Sequence, residues 1–475
     1  MVVRVLITWI CMFHNISRKL PKLSKKSIIF FVFIYAIFFP IKTLALDLLV
    51  NGFGTVCASK SDLPKYDVLP YPVYPFPTLL KPLNLGTAPY VVDATYSPSY
   101  VGAARRWGFL GNSKFGLQFT SIFNEKYKAV VQFVGRGETM NNNHFNVHMD
   151  WAYLQYNATN DLDFQFGRFR VPAFYYSDYL DVNHAQPWVK PPEEVYYIVG
   201  NAFRNMDGIK ARHAYYLGDW TLNSKLWFGN MEDHLNILGQ NTYVTVDDII
   251  GAGAQIENDR FSIGGTVMRS IYDSTINGPI AGIVAITELF SGGTFPAAQQ
   301  LNAILPDNDI PIVYVGLSLA ANITDNLDIL VERASIFSRG IISTARVGWY
   351  GSLTYSFLEQ YALTFTYGYS RPLQTEINKY LAVKNFFESP QYLNNIDNGS
   401  GAGEAIINLF QSYLGEQRSL GLDARYDILP ALSLKGSVKY INPVGQAGMP
   451  AEYILNLQRT SKHIWVYRFS FDFVF

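Results

Sequence analysis

The chain is short of charge. Lys, Arg, Asp and Glu make up 16% of its 475 residues, against about 25% in soluble domains. Bases and acids number 38 each, so the formal net charge is zero. A nucleic-acid partner has no basic footprint to meet, and none is expected. Cysteine is almost absent: Cys11 and Cys57 are the two. Cys11 falls inside an expected leader, and the one remaining thiol builds neither a disulfide nor a zinc site. After residue 45 no apolar run is long enough to cross a bilayer as a helix. A chain of this kind spans a membrane only with strands, closed into a barrel so that no sheet edge is left unpaired in lipid. No Gly-x-Ser-x-Gly elbow, Cys-x-x-Cys pair or nucleophile with an ordered base is present, so catalysis, metals and cofactors are not expected. His144 and His148 are four apart, but they fall on a loop end and a strand and read as exposed polar residues.

Aromatic residues, by contrast, are plentiful at 15%, with 32 Tyr and 33 Phe. The mean hydropathy of +0.06 is too low for a bundle of membrane helices. It suits a barrel, in which lipid-facing and lumen-facing residues alternate. At the N-terminus, Arg18, Lys19, Lys22, Lys25 and Lys26 precede an apolar run from Ile28 to Phe39 that Pro40 breaks, with Thr43 and Ala45 at the positions a signal peptidase reads. We expect a cleaved signal peptide over 1–45 and a mature domain over 46–475. Met12 is an alternative start, and a membrane anchor is the alternative reading of the apolar run.

From residue 46 on, period-two alternation dominates. In the last segment Trp465, Tyr467, Phe469, Phe471, Phe473 and Phe475 alternate with Arg468, Ser470 and Asp472. In a strand these two sets face opposite sides. Comparable segments recur, and we expect about sixteen strands, from 47–57 to 464–475. Tight turns, several of them carrying Asn, Asp, Gly or Pro, alternate with longer connections near 58–111, 138–146, 171–205, 232–243, 271–309, 337–345, 372–410 and 442–463. The fold class expected is therefore an all-β, transmembrane, antiparallel up-and-down barrel. Its short turns are periplasmic and its long loops extracellular. A barrel of this size encloses water. The Pro- and Tyr-rich stretch from Leu63 to Pro82 is unusual, and the apolar Ile276 to Ala303 is expected to be partly helical.

These features resemble the Gram-negative outer-membrane porins that form trimers of sixteen-stranded barrels. The resemblance rests on the leader, the aromatic strand ending at Phe475, the alternating turns and loops, and the distinctive third long connection. It implies passive diffusion of small hydrophilic solutes or ions, a homotrimer, and contact with outer-membrane lipids and lipopolysaccharide. It also implies insertion by the barrel-assembly machinery, reading Phe471, Phe473 and Phe475. In such porins the connection after the fifth strand folds into the lumen. Here that is 171–205, which offers Asp178, Asp181, Glu193 and Glu194 as the acidic side of a constriction. Strand parity puts Lys128, Arg136, Lys210, Arg212, Lys225, Arg346, Arg425, Lys435, Lys439 and Arg468 on the opposing inner wall. Inward acids are Asp328, Glu332, Asp423 and Asp472. The excess of bases suggests a mild anion preference. Arg168 and Arg170 share parity with the apolar face, so a bulge at Gly167 or a place at the rim is needed to count them in the wall. Two other functions compete: an adhesin or structural barrel using the long loops, and a phospholipase-like enzyme, for which no Ser–His pair can be assembled.

Overall fold

A computed structural model describes residues 47–62, 66–68, 91–93, 107–138, 144–196, 204–237, 240–274, 296–304, 309–338, 345–394, 407, 414–444 and 463–475. The expected leader, most of Leu63 to Pro82 and the first part of the apolar 276–303 segment lie outside the described residues. Sixteen antiparallel strands close into one barrel. They are β1 (Asp47–Ser61), β2 (Lys114–Ile122), β3 (Tyr127–Glu138), β4 (His144–Asn157), β5 (Leu162–Arg170), β6 (Asn205–Leu217), β7 (Trp220–Ile237) and β8 (Gln240–Glu257). They continue as β9 (Phe261–Ser274), β10 (Ile310–Thr324), β11 (Leu327–Ser338), β12 (Arg346–Phe357), β13 (Tyr361–Pro372), β14 (Glu416–Leu429), β15 (Leu432–Val444) and β16 (Ile464–Val474). A two-stranded ribbon, Tyr66–Val68 with Val91–Asp93, lies within the first long connection. No helix among the described residues is long and apolar enough to cross a membrane.

Alternation sets which way each strand faces. Along β16, Trp465, Tyr467, Phe469 and Phe471 are exposed, while Arg468, Ser470 and Asp472 are buried inside. The same parity exposes Leu317 and Leu319 on β10, Leu353 on β12, Phe365 on β13 and Leu422 on β14. This outer band is apolar because it meets hydrocarbon. Aromatic girdles bound it. On the turn side Phe357, Tyr361 and Tyr426 stack in sequence, with ring centroids 5.6 and 4.8 Å apart. On the loop side Trp349 packs on Tyr367 at 5.4 Å.

The turns are held by their own side chains. Asn124 Oδ1 accepts from the backbone N–H groups of Lys126 and Tyr127, at 2.9 and 3.0 Å. Asn258 does the same for Arg260 and Phe261. Side chains of this kind mimic a backbone turn.

Two connections differ from expectation. The segment 232–243 is not a free loop: β7 and β8 run on as a paired hairpin to Ile237 and Gln240, with one register shift between Val246 and Ile249. Continued alternation through 231–237 was masked by Glu232, Asp233 and His234, which read as loop residues. The connection after β13 carries α3 (Gln374–Phe387). It packs on α2 (Pro296–Ile304), a helix that lies at the end of the apolar segment expected to be partly helical. The first α-helix among the described residues, α1 (Glu193–Tyr196), is one turn inside the third connection.

Closure depends on small residues opposite rings. The backbone of Phe475 exchanges hydrogen bonds with Gly52, at 2.8 and 2.9 Å. Phe473 sits opposite Gly54, and a Cβ on Gly54 would lie 2.3 Å from its ring. The ring covers backbone that the glycine leaves bare. Gly54→Val should lower barrel stability by about 1–3 kcal/mol, seen as a lower temperature for loss of the compact form in a gel-shift assay. Gly265→Val, where a Cβ meets nothing nearer than 3.5 Å, should change little.

Candidate pore and its inward loop

The third connection leaves β5 at Val171 and enters the barrel. Its described part runs to Tyr196 and touches inward side chains from nearly the whole ring of strands. Three anchors hold it.

The first lies at β2–β5. Asp181 accepts from Arg136 Nε at 3.1 Å and is also bonded by Arg170, with Lys114 3.8 Å away. Arg136 and Arg170 share a second carboxylate, Asp150, with Arg136 Nη1 at 3.1 Å and Arg170 Nη2 at 3.0 Å. Burial alone would raise the Asp181 carboxyl, but Arg136, Arg170 and Lys114 together hold it well below the usual carboxylate range.

The second lies at β14–β16. Glu193 accepts from Lys439 and from Arg468 Nη2, the latter at 3.1 Å. Glu194 accepts from Gln417 and Ser419, both at 2.6 Å, and from Lys439 at 3.3 Å. Its carboxyl occupies the space where Gly368 has no Cβ: an added carbon there would lie 2.7 Å from the carboxyl carbon. Lys435 Nζ donates to the carbonyls of Asn183 and Gln186, at 2.5 and 2.7 Å, and pairs with Asp472 at 3.3 Å. Arg425 donates to the carbonyls of His184 and Gln186, at 2.8 and 3.3 Å. Burial opposes ionisation of Glu193, yet Lys439, Arg468 and Lys190 bring its carboxyl down to about 2.

The third anchor is apolar and aromatic. Trp188 is 1% exposed. Its indole N–H donates to Thr366 Oγ1 at 2.9 Å and Ser352 Oγ at 3.2 Å, and its ring meets Tyr350 edge-on at 5.6 Å. Phe174, Tyr176 and Tyr196 continue the wedge against Tyr314 and Tyr350. Buried Glu332 on β11 accepts from Tyr175 N, Tyr196 Oη and Tyr350 Oη, at 2.8, 2.6 and 2.5 Å. Part of the inner face of β7–β12 is hydrophobic, with Met268, Ile312 and Ile336 buried together in the cluster that holds Trp188 and Tyr196.

The parity-derived bases therefore divide. Lys435, Lys439 and Arg468 are sealed against the loop. Arg346 is buried at the outer end of β12, donating to the Gly415 carbonyl at 2.5 Å. On β3–β7 the wall stays partly open. Arg212 pairs with Asp163 at 3.0 Å, and Lys225 with Asp178 at 3.5 Å. Lys128 faces inward near the turn end, and Lys210 lies 4.7 Å over the Phe169 ring. Asp178 is held below its usual range: burial opposes this, and Lys225, Lys210 and Arg212 override it.

Arg168 is a correction. No bulge forms at Gly167, although its φ is +126°. The β5–β6 register runs through unbroken, and Arg168 stays on the outer face opposite Asp207, 2.6 Å away. Arg170, two residues on, turns inward at the strand end to Asp150. The acidic loop and basic wall also differ from two rims facing each other across a gap, because Glu193 and Glu194 touch Lys439 and Arg468 directly. Lys114, Asp150, Asp163 and Gly368 were not singled out from sequence. Parity with Gln118 and Gln165 marks Lys114 and Asp163 as inward. Asp150 sits at the register shift between β3 and β4, where parity fails.

DcaP, an outer membrane channel of Acinetobacter baumannii, matches 92% of this chain and 99% of its own, at 11% identity and a TM-score of 0.50. The chain has the porin fold. OmpF of Salmonella typhi (90% and 97% covered, 11% identity, TM-score 0.48) and OprB of Pseudomonas putida (90% and 94%, 10%, 0.48) are further porin-fold structures similar to it. No protein-family model matches the sequence, and no curated protein does. This porin-fold barrel, with its apolar belt, is of the bacterial outer-membrane type.

The depressed carboxyls give the loop seat a pH dependence. Glu193 falls from its ordinary 4.5 to about 2. Its contribution is fully present above about 4.5 and is lost as pH falls through about 2; Asp181 acts in the same direction. For Glu193 this is on the order of 3 kcal/mol. Bilayer recordings should be quiet at pH 5 and flicker near pH 2, as the loop leaves its seat.

Proposed function

We propose that the chain is a passive outer-membrane channel for small hydrophilic solutes, narrowed by its third connection and mildly selective for anions. The observation that carries this reading is a loop held inside a closed barrel by charged and aromatic anchors, beside an inner wall that stays polar and partly open. The partly open stretch of that wall carries Lys128, Arg212 and Lys225, with Lys114, Arg136 and Lys210 largely buried beside it. The acids near the opening are Asp163 and Asp178, while Asp150 and Asp181 are buried in the first anchor. Bases outnumber acids, and a lumen so lined favours anions through its summed field. On this reading Asp178 forms the acidic edge of the opening, and Asp181 is fastened behind it by Arg136 and Arg170. Glu193, Glu194, Lys439 and Arg468 fasten the loop rather than face the solute.

The same proposal includes a cleaved leader over 1–45, a homotrimer, and recognition of Phe471, Phe473 and Phe475 during insertion. It involves no chemical turnover. The test is the reversal potential of the purified protein in a planar bilayer across a tenfold KCl gradient. A potential displaced toward chloride supports the proposal, and clear cation selectivity overturns the anion preference.

A further inference from the structure

The inner face of β7–β11 changes character in one step of the pleat. Trp227, Gly251, Met268, Tyr314 and Ile336 share one inward row, partnered strand by strand. Its side chains are bulky and buried, and the Trp227 ring covers Gly251. The next inward row toward the turns is Lys225, Gly253, Thr266, Gly316 and Ala334. The one after it is Asn223, Gln255, Gly264, Ser318 and Glu332. Both rows are small at their centres, and the wall is hollowed there. The hollow measures about 520 Å³ counting its open mouth, a size common among small-molecule sites.

Phe174 and Tyr175 line the hollow from the loop. Tyr175 is held at both ends: its N–H donates to Glu332 Oε1 at 2.8 Å, and its hydroxyl bonds with Ser262. A ring so fixed offers a flat apolar face that needs little further ordering. The charges at the hollow already have partners. Lys225 meets Asp178 at 3.5 Å. Glu257, one inward row nearer the turns, accepts from Asn223 and Gln255, both at 2.7 Å. Glu332 takes its three neutral donors. An ionic solute therefore finds no unmatched opposite charge here. A hydroxyl group both donates and accepts, so it can meet Thr266, Ser318, the amides and the ammonium alike.

We propose that this hollow binds an uncharged, polyhydroxylated ring solute, with its hydroxyls on the β7–β10 wall and its C–H face against Tyr175. The proposal rests on the reading of the chain as a channel, since the solute reaches the hollow through the lumen.

The test uses the full-length protein, folded in detergent, with myo-inositol as probe, titrated by saturation-transfer NMR. Binding is read without conduction, so failure of this proposal is distinct from failure of the channel reading, which bilayer recordings decide. Wild-type protein should give saturable transfer to myo-inositol. Triethylene glycol is uncharged but poor in hydroxyls, and gluconate is rich in hydroxyls but charged; each should bind at least roughly tenfold more weakly. G253V fills the floor and should weaken inositol binding roughly tenfold. T266V keeps the shape, removes one floor hydroxyl and should weaken binding about threefold; it carries the test if G253V does not fold. G265V, on the outer face of the same strand, should bind as wild type does. Absence of saturable transfer, gluconate bound as tightly as inositol, or undiminished binding by folded G253V or T266V overturns the proposal.

Discussion

The double variant Glu193→Gln/Glu194→Gln should release the loop from the β14–β16 wall and raise the single-channel conductance. Both carboxylates are fully buried, and between them they meet Lys439, Arg468, Gln417 and Ser419. Glutamine keeps the volume and removes the charge. Lys439 is then left inside without the two carboxylates that it meets there. Breaking one side of a buried ion pair typically costs about 3–5 kcal/mol. The seat is a small part of a barrel closed by sixteen ladders, so the barrel survives and the loop moves. The two substitutions share Lys439 and will not add. Glu359→Gln, on the exposed turn after β12, is the control. The readouts are conductance and proteolysis of the loop in the folded protein. Unchanged conductance together with an uncut loop would show that these carboxylates do not hold it.

Trp188→Ala should have an effect of similar size by a different route. The indole fills the space between Tyr176 and Tyr350, both packed edge-on against it. Removing it leaves a cavity the barrel wall cannot close, because the wall is fixed by its own hydrogen bonds. Truncation of a buried aromatic costs about 3–5 kcal/mol. It also leaves Ser352 and Thr366 without the indole donor, although their hydroxyls remain 2.8 Å apart and bond each other. Trp188→Phe separates the two contributions: it keeps most of the ring and should cost about 1 kcal/mol for the lost hydrogen bond. Faster cleavage of the loop in the order Ala, Phe, wild type is the expected result. Equal cleavage of all three would mean that the ionic anchors alone hold the loop.

Much of this architecture was legible because a barrel writes itself into sequence with period two. The β12 span of 346–357 was read without error, since Trp349, Leu353 and Tyr355 alternate cleanly with small and polar residues. The inward placement of Arg468 and Asp472 followed from the same parity. Turns were legible where Asn124 and Asn258 supply the bonding oxygen. The turn at Leu358 and Glu359 was located by its spacing alone, for both residues take positive φ, 50° and 58°, without the usual Asn or Gly.

What parity does not convey is depth or pairing. It marks Lys435 and Lys225 as equally inward, yet one is sealed under the loop and the other borders open lumen. It fails at Asp150, where a register shift intervenes, and it says nothing of loops, so the acids of 177–194 could be named but not seated. Arg168 shows the reverse case. Parity put it on the outer face, and the structure keeps it there because Asp207 stands opposite.

Stepwise current through the purified protein in a planar lipid bilayer tests the central claim most directly. A water-filled barrel narrowed by an inward loop predicts discrete, reproducible conductance steps that are small for sixteen strands. Protein that is folded and inserted yet gives no steps at any voltage would contradict it.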